Sequence, residues 1–449
     1  NGVWGGPNAT WDTAGIVNAD WFNVGGGDGF YCQVDPENPD IVYANSQMNG
    51  LYRFNRSLGR SKNIKPRAPL EEPPYRFNWN SPVLISPHDS RTIFTGGNFL
   101  FKSTDRGNSW KKISPDLTTN DPEKQKDSGG PITLDNTGAE VHCTIYTIAE
   151  SPLKEGLIWC GTDDGYVQLT RDGGETWVET GQNIPGLPPA SWCSRIEASH
   201  FNPGTAYAAF DNHRRDDYET YLYRTDDFGA NWESIQSNLP FGWVHVVRED
   251  PVNKNLLYAG TEFGIYVSLD RGQSWFSLKN NLPTVAVRDI AVHPKNNDLI
   301  IGTHGRGIWI LDDISPLQKM NPDVLKKSFY IFPVQPVTAY FPSTRFEAYS
   351  SQEFSGENPG YGMPVNIYFR DKPQGRNTLV VKKMDGEKIF EMKLLNKQGL
   401  RRYRWNLQFV PKTEAGEEIK PGGIGMISPP IVLSGTYRIE LHAQDKITA

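Results

Sequence analysis

The sequence predicts an all-β protein, a β-propeller of six or seven blades followed by a β-sandwich of immunoglobulin or fibronectin type. A phrase made of a Pro- or Asn-containing turn, a short strand, a Gly- or Asn-containing turn and a second alternating strand recurs six times, opening at Asp35, Ser86, Ser151, His200, Asp250 and His293. That spacing is near the roughly 40–50-residue period of propeller blades. Four copies run directly into one further motif, Ser/Thr-x-Asp-x-Gly-x-x-Trp. Glycine, proline, tryptophan and tyrosine are abundant, methionine is scarce, and no long stretch carries the apolar spacing of an amphipathic helix.

A chain of 449 residues is too long for one core, because single cores stop growing near ~250–300 residues. The repeat sets the first domain at residues 1–315, and a four-stranded sheet that cannot bury both faces alone stacks radially on its neighbours. Six copies imply six blades at least, with a seventh completed from Asn1 to Gly27 or by a segment outside this chain. The pattern stops after Asp312-Asp313, and residues 316–327 read as a linker with a helical turn. From Ser328, alternating runs such as Pro364-VNIYFR, Asn377-TLVVKKM, Arg402-YRWNLQF and Gly435-TYRIELH predict the C-terminal sandwich at 328–449.

The four copies of the short motif are Ser103-TDRGNSW, Thr170-RDGGETW, Thr225-DDFGANW and Ser268-LDRGQSW, the pattern known as the Asp-box. Asp105, Asp172, Asp227 and Asp270 are expected to accept backbone N–H bonds inside a hairpin turn. The glycine two positions on supplies a left-handed residue, and Trp110, Trp177, Trp232 and Trp275 pack between neighbouring sheets. A residue repeated identically once per blade does the same structural job in each, so these aspartates read as structural rather than catalytic or calcium-binding.

The formal net charge of −6 comes from interspersed acidic and basic residues with no cationic block, which disfavours nucleic acid as a partner. No run reaches the roughly 18–20 apolar residues of a membrane span, and no leader opens at Asn1, so any export signal is expected upstream or removed. Cys32, Cys143, Cys160 and Cys193 have no CxxC spacing, so no metal site is indicated, and no cofactor is expected. Cys143 and Cys160 fall on successive predicted strands; a disulfide and two buried free thiols are both open.

The turn between the second and third strands of each blade faces one mouth of the central channel, and six turns name a ring. In order they carry Gln47 and Asn49, Asn98, Asp163 and Asp164, Asn212 and His213, Glu262, and His304 with Arg306. This position varies in chemical type from blade to blade, which makes the mouth the expected ligand face. Asp163 or Asp164 with Glu262 would supply the carboxylate pair that glycoside hydrolysis requires, against the alternative that each caps its own turn. His304 and Arg306 would hold a carboxylate ligand, or else pair to a neighbouring blade. Gly25-GGDGF lacks the GK[ST] ending of a phosphate loop and precedes a strand, yet it places Asp28 at the mouth. No Ser/His/Asp triad is defensible, and His88 and His293 read as turn openers.

The Asp-boxes, together with Gly26-GDGF, Arg76-FNWNSP, Ile113-SPDLT, Gly161-TDDG, Gly260-TEFG, Gly302-THGRGIWILDD, Gly356-ENPGYG and Gly435-TYRIEL, resemble secreted bacterial Asp-box (BNR) repeat propellers of sortilin-like or glycosyl-hydrolase-like type. The resemblance covers nearly the whole chain and implies a further propeller-forming region upstream, with Asn1-GVWGGP similar to the middle of a motif. Two-propeller xyloglucan-type endoglucanases carry a catalytic aspartate in Tyr-Ala-x-Thr-Asp-x-Gly-Gly-x-Tyr-Arg. The matching stretch here is Tyr43-ANSQMNGLYR, with Gln47 at the aspartate position. Glutamine cannot ionise and so cannot serve as a general base.

The expected function is an extracytoplasmic, secreted or cell-surface propeller that binds a protein, peptide or glycan at the mouth, without catalysis. One alternative is a glycoside hydrolase using Asp28, Asp163, Asp164 and Glu262; another is a scaffold in a surface assembly. Fold alone does not choose among them, because propellers host all three.

Overall fold

Four-stranded antiparallel meanders dominate the protein. A computed structural model describes residues 2–135, 137, 141–343, 354–409, 430–443 and 446–448. Two compact units emerge, Asn1–Gly6 with Ala19–Ile314, and Pro7–Asn18 with Ser315–Ala449.

The first unit is a β-propeller. Its first blade runs through Cys32–Val34, Ile41–Ala44, Tyr52–Asn55 and Arg60–Asn63, and its second through Val83–Ile85, Ile93–Gly96, Leu100–Ser103 and Lys111–Lys112. The third comprises Ile145–Glu150, Ile158–Thr162, Val167–Thr170 and Val178–Glu179; the fourth Trp192–Ala198, Ala206–Asp211, Tyr221–Thr225 and Glu233–Ser234. The fifth follows with Val244–Glu249, Leu257–Thr261, Gly264–Ser268 and Phe276–Ser277. The sixth has three strands, Val287–Val292, Leu299–Thr303 and Ile308–Leu311. Before them, Val3–Gly5 pairs with Phe22–Gly25 as a two-stranded ribbon, where a seventh blade was expected. Its Val3 and Val24 pack on Val42 and Ala44 of the first blade.

Each core lies between blades. Tyr43 and Leu51 of the first blade pack with Val83 and Ile93 of the second. Phe94 and Leu100 of the second pack with Ile145 and Ile158 of the third. Trp159 of the third meets Phe210 and Trp232 of the fourth, and Tyr207 of the fourth meets Val247 and Trp275 of the fifth. Burial between successive sheets is the reason the repeats stack on one another rather than standing as separate hairpins.

The four aspartate turns lock these sheets at the opposite end from the mouth. Asp105 Oδ1 accepts from Ser109 N at 2.9 Å and from Ser103 Oγ at 2.8 Å. Asp172, Asp227 and Asp270 do the same with Thr176, Asn231 and Ser274. Both the glycine and the residue before it are left-handed, as at Arg106 (φ 60°) and Gly107 (φ 81°). A Cβ at Gly107 would stand 2.5 Å from Ile64 Cδ1 of the preceding blade, so glycine is required there for close approach as well as for conformation. The indoles of Trp110, Trp177 and Trp275 donate to the carbonyls of Ile64, Ile113 and Ile235, each in the blade before.

The second unit has two short helices, Ser315–Gln318 and Pro322–Lys326, the latter capped by Asn321 Oδ1. One antiparallel sheet holds Phe329–Ile331, Met363–Phe369 and Gly399–Trp405; the other holds Lys388–Lys393, Thr378–Lys383, Tyr437–Ala443 and Lys446–Thr448. Val365, Ile367 and Trp405 of the first sheet share a single core with Leu379, Val381 and Leu441 of the second. Residues 7–18, counted with the propeller from sequence, belong here because Asp12 and Ile16 bridge to Ser343 and Gly356. No described helix is long and apolar enough to cross a membrane.

Candidate functional site

Antiparallel meanders alternate direction, so the turn between second and third strands and the loop entering the next inner strand reach the same end of the propeller. The mouth is therefore built from two sets of residues. Sequence reasoning found the first set; the second includes Tyr31, Asn78, Asn80, His142, Trp192, Trp243 and His245.

The expected carboxylates meet very different surroundings. Asp163 is 1% exposed, and its oxygens accept from Thr144 N (2.9 Å), Thr144 Oγ1 (2.5 Å) and Asn78 Nδ2 (2.9 Å). Burial pushes its carboxyl up to about 7 against those hydrogen bonds. Asp164 is also buried, with Oδ2 accepting from Thr119 N (2.8 Å) and Thr119 Oγ1 (2.7 Å), and Oδ1 from Thr162 Oγ1 (2.5 Å). Both aspartates thus tie the third blade's turn to the loops beside it. Glu262 is half-buried with its Oε2 2.9 Å from His245 Nε2, while His245 Nδ1 stands 3.3 Å from Arg288 Nη1. Burial and then Arg288 hold the imidazole down to about 3, so it is neutral. A proton on Nε2 lets it donate to Glu262 and accept from Arg288; Trp243 Nε1 also approaches Nε2, at 3.1 Å, but the carboxylate is the stronger partner.

Asp28 is half-buried, and its backbone N–H donates to Gln47 Oε1 at 3.2 Å. Among the described residues, no hydrogen bond or ion pair engages its carboxylate. Gln47 therefore props the glycine turn. Asn98 is buried, accepting from Arg76 N (3.1 Å) and donating to Asp116 (3.2 Å). Asn49 and Asn212 are buried too, donating to Thr95 and to Ser191 and Asp217. His304 and Arg306 are exposed, and no side-chain hydrogen bond or ion pair holds either one among the described residues.

An aromatic rim, absent from the sequence reasoning, stands beside them. His213 stacks on Trp243 at 4.7 Å between centroids, and Tyr218 lies 5.6 Å from the same indole. Tyr218, Phe241 and Phe263 are 40%, 62% and 51% exposed. Further round, Arg214 covers Trp192 at 4.2 Å and Tyr146 meets it edge-on. The available signal was positional: Trp192 and Trp243 open the fourth and fifth inner strands, but neighbouring blades place different residue types there.

Inside the channel, Arg195 of the fourth blade reaches Asp289 of the sixth at 2.9 Å, and Arg248 of the fifth bonds Glu197 (2.6 Å) and Asp289 (3.2 Å). The Asp289 side chain is solvent-accessible within the channel, and the desolvation by the surrounding walls is outweighed by Arg195 and Arg248, which hold its carboxyl below the usual range. A concavity of about 680 Å³ lies away from the mouth, among the first two blades' aspartate-side turns, lined by Arg53, Arg60, Arg91 and Arg106. All four cysteines are free thiols, so Cys143 and Cys160 are not bridged.

No family model and no curated protein sequence matches the chain. Among solved structures it is similar to an ancestral GH74 enzyme (15% identity, TM-score 0.44, 82% of this chain and 38% of that one). A GH74 xyloglucanase from Xanthomonas campestris aligns at 16% identity and TM-score 0.42 over 69% of this chain and 53% of that one. The extracellular domain of a putative hybrid two-component system from B. thetaiotaomicron aligns at 14% identity and TM-score 0.40, covering 64% and 32% of the two chains. The chain thus spans 38% and 53% of the length of the two GH74 enzymes. The β-propeller assignment rests on the successive sheets themselves.

Proposed function

We propose that this protein is an extracytoplasmic recognition propeller whose mouth binds a peptide, protein or glycan ligand without cleaving it. The observation that carries the reading is the rim of exposed Tyr218, Phe241 and Phe263 around the half-buried Trp243, with the exposed Arg288, His304 and Arg306 at the same mouth. Aromatic faces supply apolar area at low entropy cost, and the cations orient an acidic or carbonyl-bearing partner. Asp163 and Asp164, by contrast, spend their oxygens on the fold. The test is retention of peptides and oligosaccharides by the immobilised full chain, compared with Phe263→Ala and Arg306→Ala. Retention should fall in both variants while melting temperature holds, and equal retention by all three proteins would overturn the reading.

Asp28 favours a second reading, hydrolysis of a polysaccharide, because its carboxylate is unengaged at the mouth. Reducing-sugar release that vanishes in a folded Asp28→Asn variant would establish a hydrolase in place of a binder.

A further inference from the structure

At the edge of the mouth, three metal-ligating side chains of different chemistry converge. A ring nitrogen of His142, Cys143 Sγ and a carboxylate oxygen of Asp164 all lie within 4.8 Å of one another. The sequence hides the cluster, since His142 and Cys143 are adjacent on the loop entering the third blade, while Asp164 comes from that blade's second-to-third-strand turn.

We propose that His142, Cys143 and Asp164 form a three-ligand site for a borderline divalent ion of the zinc class. The sulfur and the imidazole nitrogen are 3.7 Å apart, close to the roughly 3.6 Å that tetrahedral zinc sets between a thiolate and an imidazole ligand. The widest pair would draw in by roughly 1 Å. A mixed nitrogen, sulfur and oxygen set selects zinc-like ions over calcium or magnesium, which take oxygen donors. The carboxylate is held by its neighbours: Thr119 fills both lone pairs of Asp164 Oδ2, and Thr162 takes one on Oδ1, which leaves one for a metal. Burial holds the His142 imidazole below its ordinary value, which favours the form with a free ring nitrogen. Cys143 is a thiol in a buried setting, so ion binding displaces its proton to solvent and the sulfur ligates as thiolate. His142 is only half-buried, so an ion held there would keep access to solvent, from which water or a ligand oxygen would supply the fourth ligand.

Cobalt(II) titration of the chelator-treated full chain tests the site, with absorption reading the thiolate-to-cobalt charge transfer and circular dichroism checking the fold. The expected result is one ion per chain with a charge-transfer band that zinc bleaches and that Cys143→Ser abolishes while Cys32→Ser keeps it. His142→Gln should weaken the ion by more than tenfold, and Thr162→Val, which removes no ligand but frees Asp164 Oδ1 and the Tyr166 N–H from the Thr162 hydroxyl, by about 10- to 100-fold. A cobalt spectrum without the thiolate band, a band lost in Cys32→Ser, or unchanged affinity in folded His142→Gln would overturn the proposal.

Discussion

Tyr31 and Arg195 meet across the propeller axis: the phenol oxygen of the first blade lies 3.4 Å from Nη1 of the fourth, and the guanidinium sits 5.5 Å from the ring centre. Through its other terminal nitrogen the same arginine holds Asp289 of the sixth blade. Blades that share no hydrophobic core are therefore joined at the axis by one side chain.

Arg195→Met should lower stability by roughly 1–3 kcal/mol, less than a fully buried pair would, because Arg248 still faces Asp289. Urea unfolding measures it. An unchanged midpoint would mean that stacking between neighbouring blades alone holds the ring.

Acid should find the aspartate turns first. Hydrogen bonds from the Ser109 hydroxyl, the Ser109 N–H and the Ser103 hydroxyl hold Asp105 down to about 2, and Asp172 is held low by its Thr176 counterparts. A folded value below the unfolded one contributes stability that is complete above the ordinary carboxylate range and is lost as pH falls toward the folded value. Melting temperature should therefore decline from about pH 4 downward, and Asp105→Asn with Asp172→Asn should flatten that decline. A slope identical to wild type would refute the assignment.

Trp275 combines near-complete burial with an indole bond of 2.8 Å to Ile235 O. Trp275→Ala should cost about 3–5 kcal/mol, whereas Trp275→Phe, which leaves chiefly an unmet carbonyl, should cost about 1–3 kcal/mol. Equal losses in calorimetry would show that the hydrogen bond, not the packing, matters at this position.

Thiol labelling should separate the cysteines. Cys32 is exposed to a water-sized molecule, while Cys143, Cys160 and Cys193 are buried. Burial by the surrounding protein pushes the Cys32 thiol up to about 11, so a small neutral reagent should modify it alone and slowly at neutral pH. Mass spectrometry of the native protein reads the sites, and modification of Cys193 at a comparable rate would contradict the buried inner strand.

The blades were legible because the same phrase recurs six times, and identical local rules act on each copy. The ring of mouth turns was legible for the same reason. Which of its side chains are free was not, because Asn98, Asp163 and Asp164 are covered by the loops that enter the inner strands of the second and third blades, and those loops do not repeat. Trp192 and Trp243 stand at equivalent places without resembling each other's neighbours, so periodicity carries no sign of them. His142 and Cys143 gain meaning only from Asp164, twenty-odd positions away and brought close by a hairpin.

Pro7–Asn18 lies near the start of the chain, yet its partners come late. Thr10 N donates to Asn358 Oδ1 across 348 positions, and Ile16 exchanges backbone bonds with Gly356. During synthesis this stretch emerges before the propeller strands and must wait, unpaired, while they fold behind it, a slow long-range closure of the kind that limits folding rates. A single proteolytic nick between Ser315 and Lys327 would accordingly leave two fragments still held together by these pairings, and the second unit completes itself only with a piece delivered from ahead of the propeller.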